Sequence, residues 1–393
     1  MSASGVQGNV AQASSADDNG KVQRELDQAH SGWSNLPDSH KLKKFQDALR
    51  DILTTTAYNE MYGVELVAPV DGKPAPHTTL VILQKFLRAN VDDLEKAKEQ
   101  LTAALKWRKE FQPLKVRDET FDADKFGKLG YVTRVKGATE TKNEEDVVTF
   151  NIYGAAAKDV KKTFGDTDAF VRWRVAQMEL TLTELNLNAA DKNVPDYGKG
   201  PDPYKAIAVH DYLSVSFFRQ PAEIKSASTK IIDMFQRYYP ETVSYKYFVN
   251  VPLVMQWMMG VMKTLLSKDS IQTMTWMTNG SELHKYLGKS VPKEYGGDGA
   301  PLHETAITPK YGKAEVKDDT AAPAPAVEPV SAAETADGSA DKKAEETTTV
   351  EPPTTTTESA PAAASPAAAE NAVPVTDTTP EVTGKPEEKA TVA

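Results

Sequence analysis

Apolar residues recur at helical spacing through the first part of the chain. Leu42, Phe45, Leu49 and Leu53 lie three or four residues apart, which places their side chains on one helix face, and Ser39 is a suitable N-cap before them. Two more segments follow, the second capped by Asp92 or Asp93. Helices ahead of any strand predict a helical N-terminal lobe over residues 25–118. The predicted helices are residues 39–55, about 80–89 and about 92–111.

The pattern changes from about Gly130 onward. Residues 131–135 and 147–153 predict two strands on either side of a polar insertion at residues 136–145. Strands and helices then alternate, which implies a mainly parallel sheet covered by helices. We therefore predict an α/β fold, with the helical lobe leading into a domain over residues 119–305. The later predicted strands are 206–215, 243–249 and 271–277, and the predicted helices are 168–187, 222–239, 252–267 and 281–287.

The net charge of the chain is concentrated in its C-terminal tail. Residues 313–393 contain 6 Lys and 16 acidic residues but no Leu, Ile, Met, Phe, Trp or Tyr, so they carry the whole net charge of −10. Such a segment cannot bury enough apolar surface to fold, and we predict that this tail and residues 1–24 are disordered. The remainder is neutral overall, which argues against a nucleic-acid partner held by bulk positive charge.

Several classes of function are excluded or disfavoured by what the chain lacks. It has no Cys, which excludes disulfides, Cys-ligated zinc or iron–sulfur sites and thiol nucleophiles. Its six His stand at no familiar metal-ligand spacing, and the common hydrolase, metalloprotease and dinucleotide motifs are missing. The N-terminus lacks the apolar stretch of a secretory signal, and no apolar run reaches eighteen residues. We expect a cytoplasmic protein that is not an enzyme.

One predicted helix is apolar almost all round. Residues 252–267 contain four of the ten Met of the chain. A buried core helix would give this pattern, and so would a mobile wall over an apolar ligand, because Met adapts its shape at low cost. The segment is too short to span a bilayer but long enough to dip into its surface.

Two further features bear on a ligand pocket. Arg174 falls on the apolar stripe of its predicted helix, where it either extends to solvent or faces inward toward an anionic partner. His210 and Tyr212 alternate within a predicted strand and therefore share one face. A strand His is commonly a hydrogen-bonded core residue, but a His and a Tyr on one face favour a pocket. Both residue types are known axial ligands of haem iron.

A series of motifs resembles those of the CRAL-TRIO lipid-binding family and occurs in the same order as in that family. The family includes the Sec-fourteen-type phosphatidylinositol transfer proteins. The resemblance covers about residues 39–298 and does not extend to the acidic tail. Asn90 stands where the family usually has a basic residue. The matching motifs are LQKFLRA at 83–89, DLEKA at 93–97, WR at 107–108, FQRYYPE at 235–241, YFVNVP at 247–252 and VPKEYGG at 291–297.

Within this family, four motifs are similar to those of the fifth-homologue branch of the fungal proteins. That resemblance implies phosphatidylinositol transfer in phosphoinositide homeostasis, a peripheral position on endoplasmic reticulum (microsomal) membranes, and binding of haem b. It also implies that Tyr212 is the axial ligand of the haem iron, with His210 beside it. If haem is bound, we expect His210 to hydrogen-bond the Tyr212 oxygen and Arg174 and Lys246 to pair with the propionates. The motifs are NIYG at 151–154, FVRWR at 170–174, VHDY at 209–212 and YKYFVNVP at 245–252, and the implied haem contacts are Tyr153, Arg174, His210, Tyr212 and Lys246.

Two other functions stay open on the sequence. One is a haem-dependent redox or oxidative-stress protein that uses the same pocket and transfers little lipid, since haem brings its own chemistry. The other is a scaffold whose only task is to display the acidic tail. The leading hypothesis is a lipid carrier with phosphatidylinositol and a membrane surface as its partners.

Overall fold

The computed structural model describes residue 33 and residues 36–70, 73–141, 143–215, 221–253 and 272–313. The predicted disordered ends and nearly all of the predicted Met-rich helix at 252–267 lie outside these residues. The described part of the chain forms a helical lobe followed by a sheet covered by helices.

The N-terminal lobe consists mainly of three helices, as predicted. They are α1 (Lys41–Thr56), α2 (His77–Ala89) and α3 (Leu94–Phe111), with the short antiparallel pair β1 (Glu60–Met61) and β2 (Val64–Glu65) between the first two. The N-cap of α1 is His40 and not Ser39, because the Nδ1 atom of His40 accepts the hydrogen bond from Leu42 N at 3.2 Å. The cap of α3 is Asp93, which accepts from Lys96 N.

A five-stranded sheet forms the centre of the second region. Its order is β4-β5-β6-β7-β8, with β4 and β5 antiparallel and the other pairs parallel. The hairpin around residues 136–145 and the mainly parallel α/β sheet are therefore confirmed. The strands are β4 (Gly130–Val135), β5 (Asp146–Ile152), β6 (Ala206–Asp211), β7 (Val243–Val249) and β8 (Met274–Trp276).

The longer covering helices also lie where they were predicted. Helix α8 (Thr167–Leu185) packs against β4 and β5, and α9 (Ala222–Tyr238) packs against α8 and α3. The short elements are α4 (Pro113–Arg117), β3 (Thr120–Asp122), α5 (Ala123–Phe126), α6 (Tyr153–Ala156), α7 (Val160–Phe164), α10 (His284–Leu287), α11 (Leu302–Thr305), β9 (Lys310–Gly312) and three 3₁₀ turns at Leu187–Ala189, Gly280–Leu283 and Lys293–Tyr295.

Two predicted strands and one predicted helix are shorter than expected. Strand β6 ends at Asp211 and not at residue 215, because the Asp211 carboxylate accepts a hydrogen bond from Leu213 N at 2.9 Å and turns the chain. Strand β8 occupies only three residues of the predicted 271–277. The predicted helix at 281–287 begins as a 3₁₀ turn, and only its last four residues are α-helical.

A buried ionic cluster joins the lobe to the sheet region. The Arg108 guanidinium of α3 is fully buried and bonds Glu179 of α8 at 2.7 and 3.1 Å and Glu60 of β1 at 2.8 and 2.9 Å. Tyr239 donates a further hydrogen bond to Glu179 at 2.6 Å. Because removing one partner of such a cluster leaves a buried charge uncompensated, this contact fixes α8 against the lobe.

Among the described residues, no helix is long and apolar enough to cross a bilayer. The same residues hold no cluster of His, Asp and Glu side chains that would bind a metal ion by itself.

Candidate functional site

The five residues that the resemblance implies are brought together at the carboxyl ends of β5 and β6 and on the neighbouring elements. Tyr153 begins α6 directly after β5, His210 is near the end of β6, and Tyr212 follows that strand. Lys246 lies on β7, and Arg174 lies on α8. The structure therefore unites residues that are separated by up to 93 positions in the chain.

His210 lies at the centre of this group. Its register partners are Asn151 on β5 and Phe248 on β7, so all three side chains share one face of the sheet. The imidazole is fully buried, stacks on Phe248 at 5.0 Å and on Tyr153 at 5.6 Å, and its Nδ1 atom is hydrogen-bonded to Tyr153 Oη at 2.9 Å. Its Nε2 atom has no hydrogen-bond partner in the described structure. A buried polar atom of this kind is rare and indicates a missing partner.

The surroundings of His210 keep it neutral. Burial lowers its pKa well below the ordinary value of 6.5, and the positive charges of Lys246 and Arg174 lower it further. His210 is thus a neutral ring that can accept or donate one more hydrogen bond at Nε2.

A pH-dependent stability follows from this depressed pKa. Below about pH 6.5 the unfolded chain gains a proton on His210 that the folded chain does not bind. The contribution of His210 to the free energy of unfolding is therefore fully present above that pH. It decreases as the pH falls below this value, by up to about 1.4 kcal/mol per pH unit. We expect His210→Phe to lose this contribution, because Phe keeps the stacking but does not titrate. The measurement is the free energy of unfolding in urea at several pH values between about 7 and 5.

The matched control for this experiment is His303→Gln, because the side chain of His303 is 70% exposed. That variant should retain the wild-type slope. An unchanged slope in His210→Phe would show that His210 titrates normally in the folded state.

Tyr212 completes an aromatic group around His210. Its ring centroid lies 5.1 Å from that of Tyr153 and 6.3 Å from that of Phe248. The ring is therefore on the same side as His210, as the strand alternation predicted, although β6 ends one residue earlier. Burial raises the pKa of the Tyr212 phenol well above its ordinary value of 10, so the phenol is protonated at neutral pH.

Of the two interpretations of Arg174, the inward one is confirmed. Its side chain is buried, and one guanidinium nitrogen donates to Asn151 Oδ1 and to Gln177 Oε1, both at 2.6 Å. The guanidinium also lies 5.6 Å from the Phe235 ring centroid and 5.7 Å from that of Trp173. Neutral amides and aromatic faces orient this cation toward the sheet.

Lys246 is the second buried cation of the site. It pairs in register with Ala208 of β6 and Met274 of β8, and its side chain is buried. No carboxylate among the described residues lies within ion-pair distance of its Nζ atom. Lys85, by contrast, is fully buried and is held by Asp202 Oδ2 at 2.6 Å and by two backbone carbonyls.

Sequence reasoning missed the residues that form the walls of the site. Asn151 and Gln177 orient Arg174, while Phe248 and Trp276 stack on each other at 5.0 Å across β7 and β8. Asn151 and Phe248 lie within motifs quoted for the resemblance, but only the strand register places them beside His210. Gln177 could have been found from its position, because it lies one helical turn after Arg174.

Within the described residues, the arrangement combines flat aromatic surfaces, a buried imidazole nitrogen without a hydrogen-bond partner and a buried cation without a carboxylate partner. An uncompensated buried charge is costly, so these groups are suited to a ligand that carries an anionic group and a large apolar surface. Phenols, a neutral imidazole and two cations are groups that can bind such a ligand.

Comparisons with known proteins agree with this description. A family model described as "CRAL/TRIO domain" matches residues 124–297. The phosphatidylinositol transfer protein SFH5 of Phaeosphaeria nodorum is 48% identical over 274 residues, which cover 70% of this chain and 81% of that protein. The protein of the same name from Botryotinia fuckeliana is 46% identical over 282 residues, covering 71% of this chain and 61% of its own length.

A solved structure, described as the crystal structure of Sfh5, resembles the fold at a TM-score of 0.56 and 28% identity. The match covers 73% of this chain and 93% of that one. The resemblance found in the motifs is thus confirmed by two independent kinds of similarity. The chain belongs to the CRAL/TRIO family and, within it, to the branch of the Sfh5 proteins.

Proposed function

We propose that this protein binds phosphatidylinositol and transfers it between membranes, as a peripheral protein of the endoplasmic reticulum that contributes to phosphoinositide homeostasis. The proposal is supported by the 48% identity to a protein named for phosphatidylinositol transfer. The matching region covers 81% of that protein. A function as a binding protein rather than an enzyme is consistent with that name.

The physical need for a carrier is large. Each CH₂ group taken out of a bilayer into water costs about 0.8 kcal/mol, so a diacyl lipid leaves a membrane very slowly without protection. A carrier must supply an enclosed apolar surface for the chains and a polar contact for the phosphate-bearing headgroup. The buried cations Arg174 and Lys246 are candidates for that polar contact.

Transfer of labelled phosphatidylinositol between two populations of vesicles tests this function. We expect the full-length protein to accelerate transfer well above a protein-free control, and a variant lacking residues 313–393 to transfer equally well. No transfer above the control would refute the carrier, and loss of protein partners on deletion of the tail, with no lipid bound or transferred by either form, would favour the scaffold hypothesis.

We also propose that the pocket binds haem b. The residues present fit this group on one structural observation, which is that the buried His210 Nε2 atom has no hydrogen-bond partner among the described residues. Tyr212 would ligate the iron as phenolate, and Arg174 and Lys246 would pair with the propionates. When bound, haem supplies an iron centre with one-electron and oxygen chemistry.

The protein's own residues set the conditions for this binding. The Tyr212 phenol must lose its proton to become an anionic ligand, and its raised pKa means that this proton is still present in the free protein. His210 cannot store the proton, because its own pKa is depressed. On binding, the Tyr212 proton would therefore be released rather than held by His210, and His210 Nε2 could hydrogen-bond an oxygen nearby.

The colour and absorption spectrum of the purified protein, with mass spectrometry of its extracted lipid, test which ligand it carries. Haem in the protein together with transfer at the protein-free rate would favour the haem-dependent redox or oxidative-stress function. A colourless protein that gains no absorption band when haemin is added would refute the haem site.

A further inference from the structure

The turn that carries Tyr212 is held from two sides. Tyr212 N donates to Val249 O at 3.0 Å, which is the last bond between β6 and the end of β7. Val215 N donates back to Tyr212 O at 3.0 Å, and Ser214 takes a φ of 66°, so residues 211–215 form a tight turn. The position of the Tyr212 ring therefore depends on what fixes this turn.

Asp211 fixes the turn from the opposite face of the sheet. Its buried carboxylate accepts three hydrogen bonds, from Leu213 N at 2.9 Å, from Asn250 Nδ2 at 2.8 Å and from Tyr295 Oη at 2.9 Å. Asn250 in turn accepts from Gly280 N at 2.8 Å. The carboxylate thus joins the turn after β6 to the turn after β7 and to the 3₁₀ turn at Lys293–Tyr295.

Gly154 of α6 limits the position of the turn through a close backbone contact with Leu213. A Cβ atom at this position would lie 1.7 Å from Leu213 O and 2.8 Å from Leu213 C, both of which are backbone atoms. Its φ is not in the left-handed region, so the need for glycine here is steric and not conformational. Because carbon–oxygen contacts lie at about 3.3–3.6 Å, any side chain at 154 would displace the turn by roughly 1.6 Å or more.

This close approach sets the geometry of the site. Gly154 follows Tyr153, and Leu213 follows Tyr212, so the contact between the two backbones places the two rings 5.1 Å apart. Tyr153 then reaches His210 Nδ1 at 2.9 Å. A displacement of the turn would separate Tyr212 from both of these neighbours.

We propose that Gly154 and Asp211 are positioning residues that hold Tyr212 against Tyr153 and His210 for ligand binding. The expected effect on ligand binding rests on the proposed haem site. The geometry of the turn does not, because it is present in the chain without a ligand. Binding sites need their groups held within about 0.5 Å, so a shift of the expected size is large enough to matter.

The first test uses the protein without ligand. The chain has only six His, so the imidazole nitrogens of His210 can be followed by ¹⁵N NMR and assigned with His210→Gln. Tyr153→Phe supplies the reference in which the bond to Nδ1 is absent. We expect Gly154→Ala to move the His210 resonances toward that reference, and Ala155→Gly, a change in the same short helix without a clash, to leave them at the wild-type position.

The second test measures haemin binding by absorption for the same variants, with thermal unfolding as a check on folding. We expect Gly154→Ala to bind haemin roughly tenfold more weakly or worse, and Ala155→Gly to stay within about twofold of wild type. If wild type binds no haemin, the proposed haem site fails, while the NMR result still decides whether Gly154 positions the ring.

Asp211→Asn tests the same turn from its other side if Gly154→Ala does not fold. The amide keeps an oxygen for Leu213 N but cannot satisfy all three donors, so the turn is loosened. Wild-type His210 resonances in whichever folded variant is measured would overturn the proposal. Failure of both variants to fold would also overturn it, since the turn would then be a determinant of folding and not of position.

Discussion

Replacing Tyr212 by Phe is expected to abolish haem binding, or to weaken it strongly, while leaving the fold intact. The substitution removes only the hydroxyl, so the ring contacts with Tyr153 and Phe248 at 5.1 and 6.3 Å remain. No Cys exists in the chain, and phenolate is the hard anionic ligand that the site offers to ferric iron. The measurement is the haem content and visible absorption spectrum of the purified variant.

Tyr245→Phe is the matched control for this substitution. Tyr245 lies on β7, one residue before Lys246 and therefore on the opposite face of the sheet, where its hydroxyl donates to Glu140 O at 3.2 Å. This variant should keep wild-type haem content and spectrum. A Tyr212→Phe protein with wild-type occupancy and an unchanged spectrum would show that another group ligates the iron.

Replacing Lys246 by Met is expected to change stability and binding in opposite directions. The buried ammonium has no carboxylate partner among the described residues, so its removal should raise the free energy of unfolding of the ligand-free protein by roughly 1 kcal/mol. Haemin binding should weaken by about ten- to a hundredfold, because a charge-assisted hydrogen bond contributes about 1.5–3 kcal/mol. Urea unfolding without ligand and haemin titration measure the two effects.

Lys85→Met is the control that separates a binding cation from a structural one. Lys85 is buried, like Lys246, but is paired with Asp202 and two carbonyls. Its removal leaves a buried carboxylate uncompensated and should lower the free energy of unfolding by about 3–5 kcal/mol. If Lys246→Met is destabilised to the same extent and binds haemin normally, Lys246 is a structural residue and not part of the ligand site.

Local patterns along the chain were sufficient for the elements and the family. Helical spacing placed both ends of α1, α3, α8 and α9 to within about two residues, because apolar residues recur at helical spacing along each of them. Alternation along β6 placed His210 and Tyr212 on one side of the sheet, because successive strand side chains point to opposite faces. The order of short motifs identified the family that the comparisons then confirmed.

The tertiary structure alone decided how these residues serve the site. The Asp211 carboxylate that turns the chain after β6 is itself held by hydrogen bonds from Asn250 and Tyr295, which are 39 and 84 residues away. Two buried lysines look alike in sequence, and only the folded chain shows that Lys85 has an acidic partner, while Lys246 has none among the described residues. The need for glycine at 154 arises from one backbone carbonyl, that of Leu213. Each of these facts depends on contacts between segments far apart in the chain. Periodicity along the chain cannot predict such contacts, because it indicates only which face a residue occupies and not what covers that face.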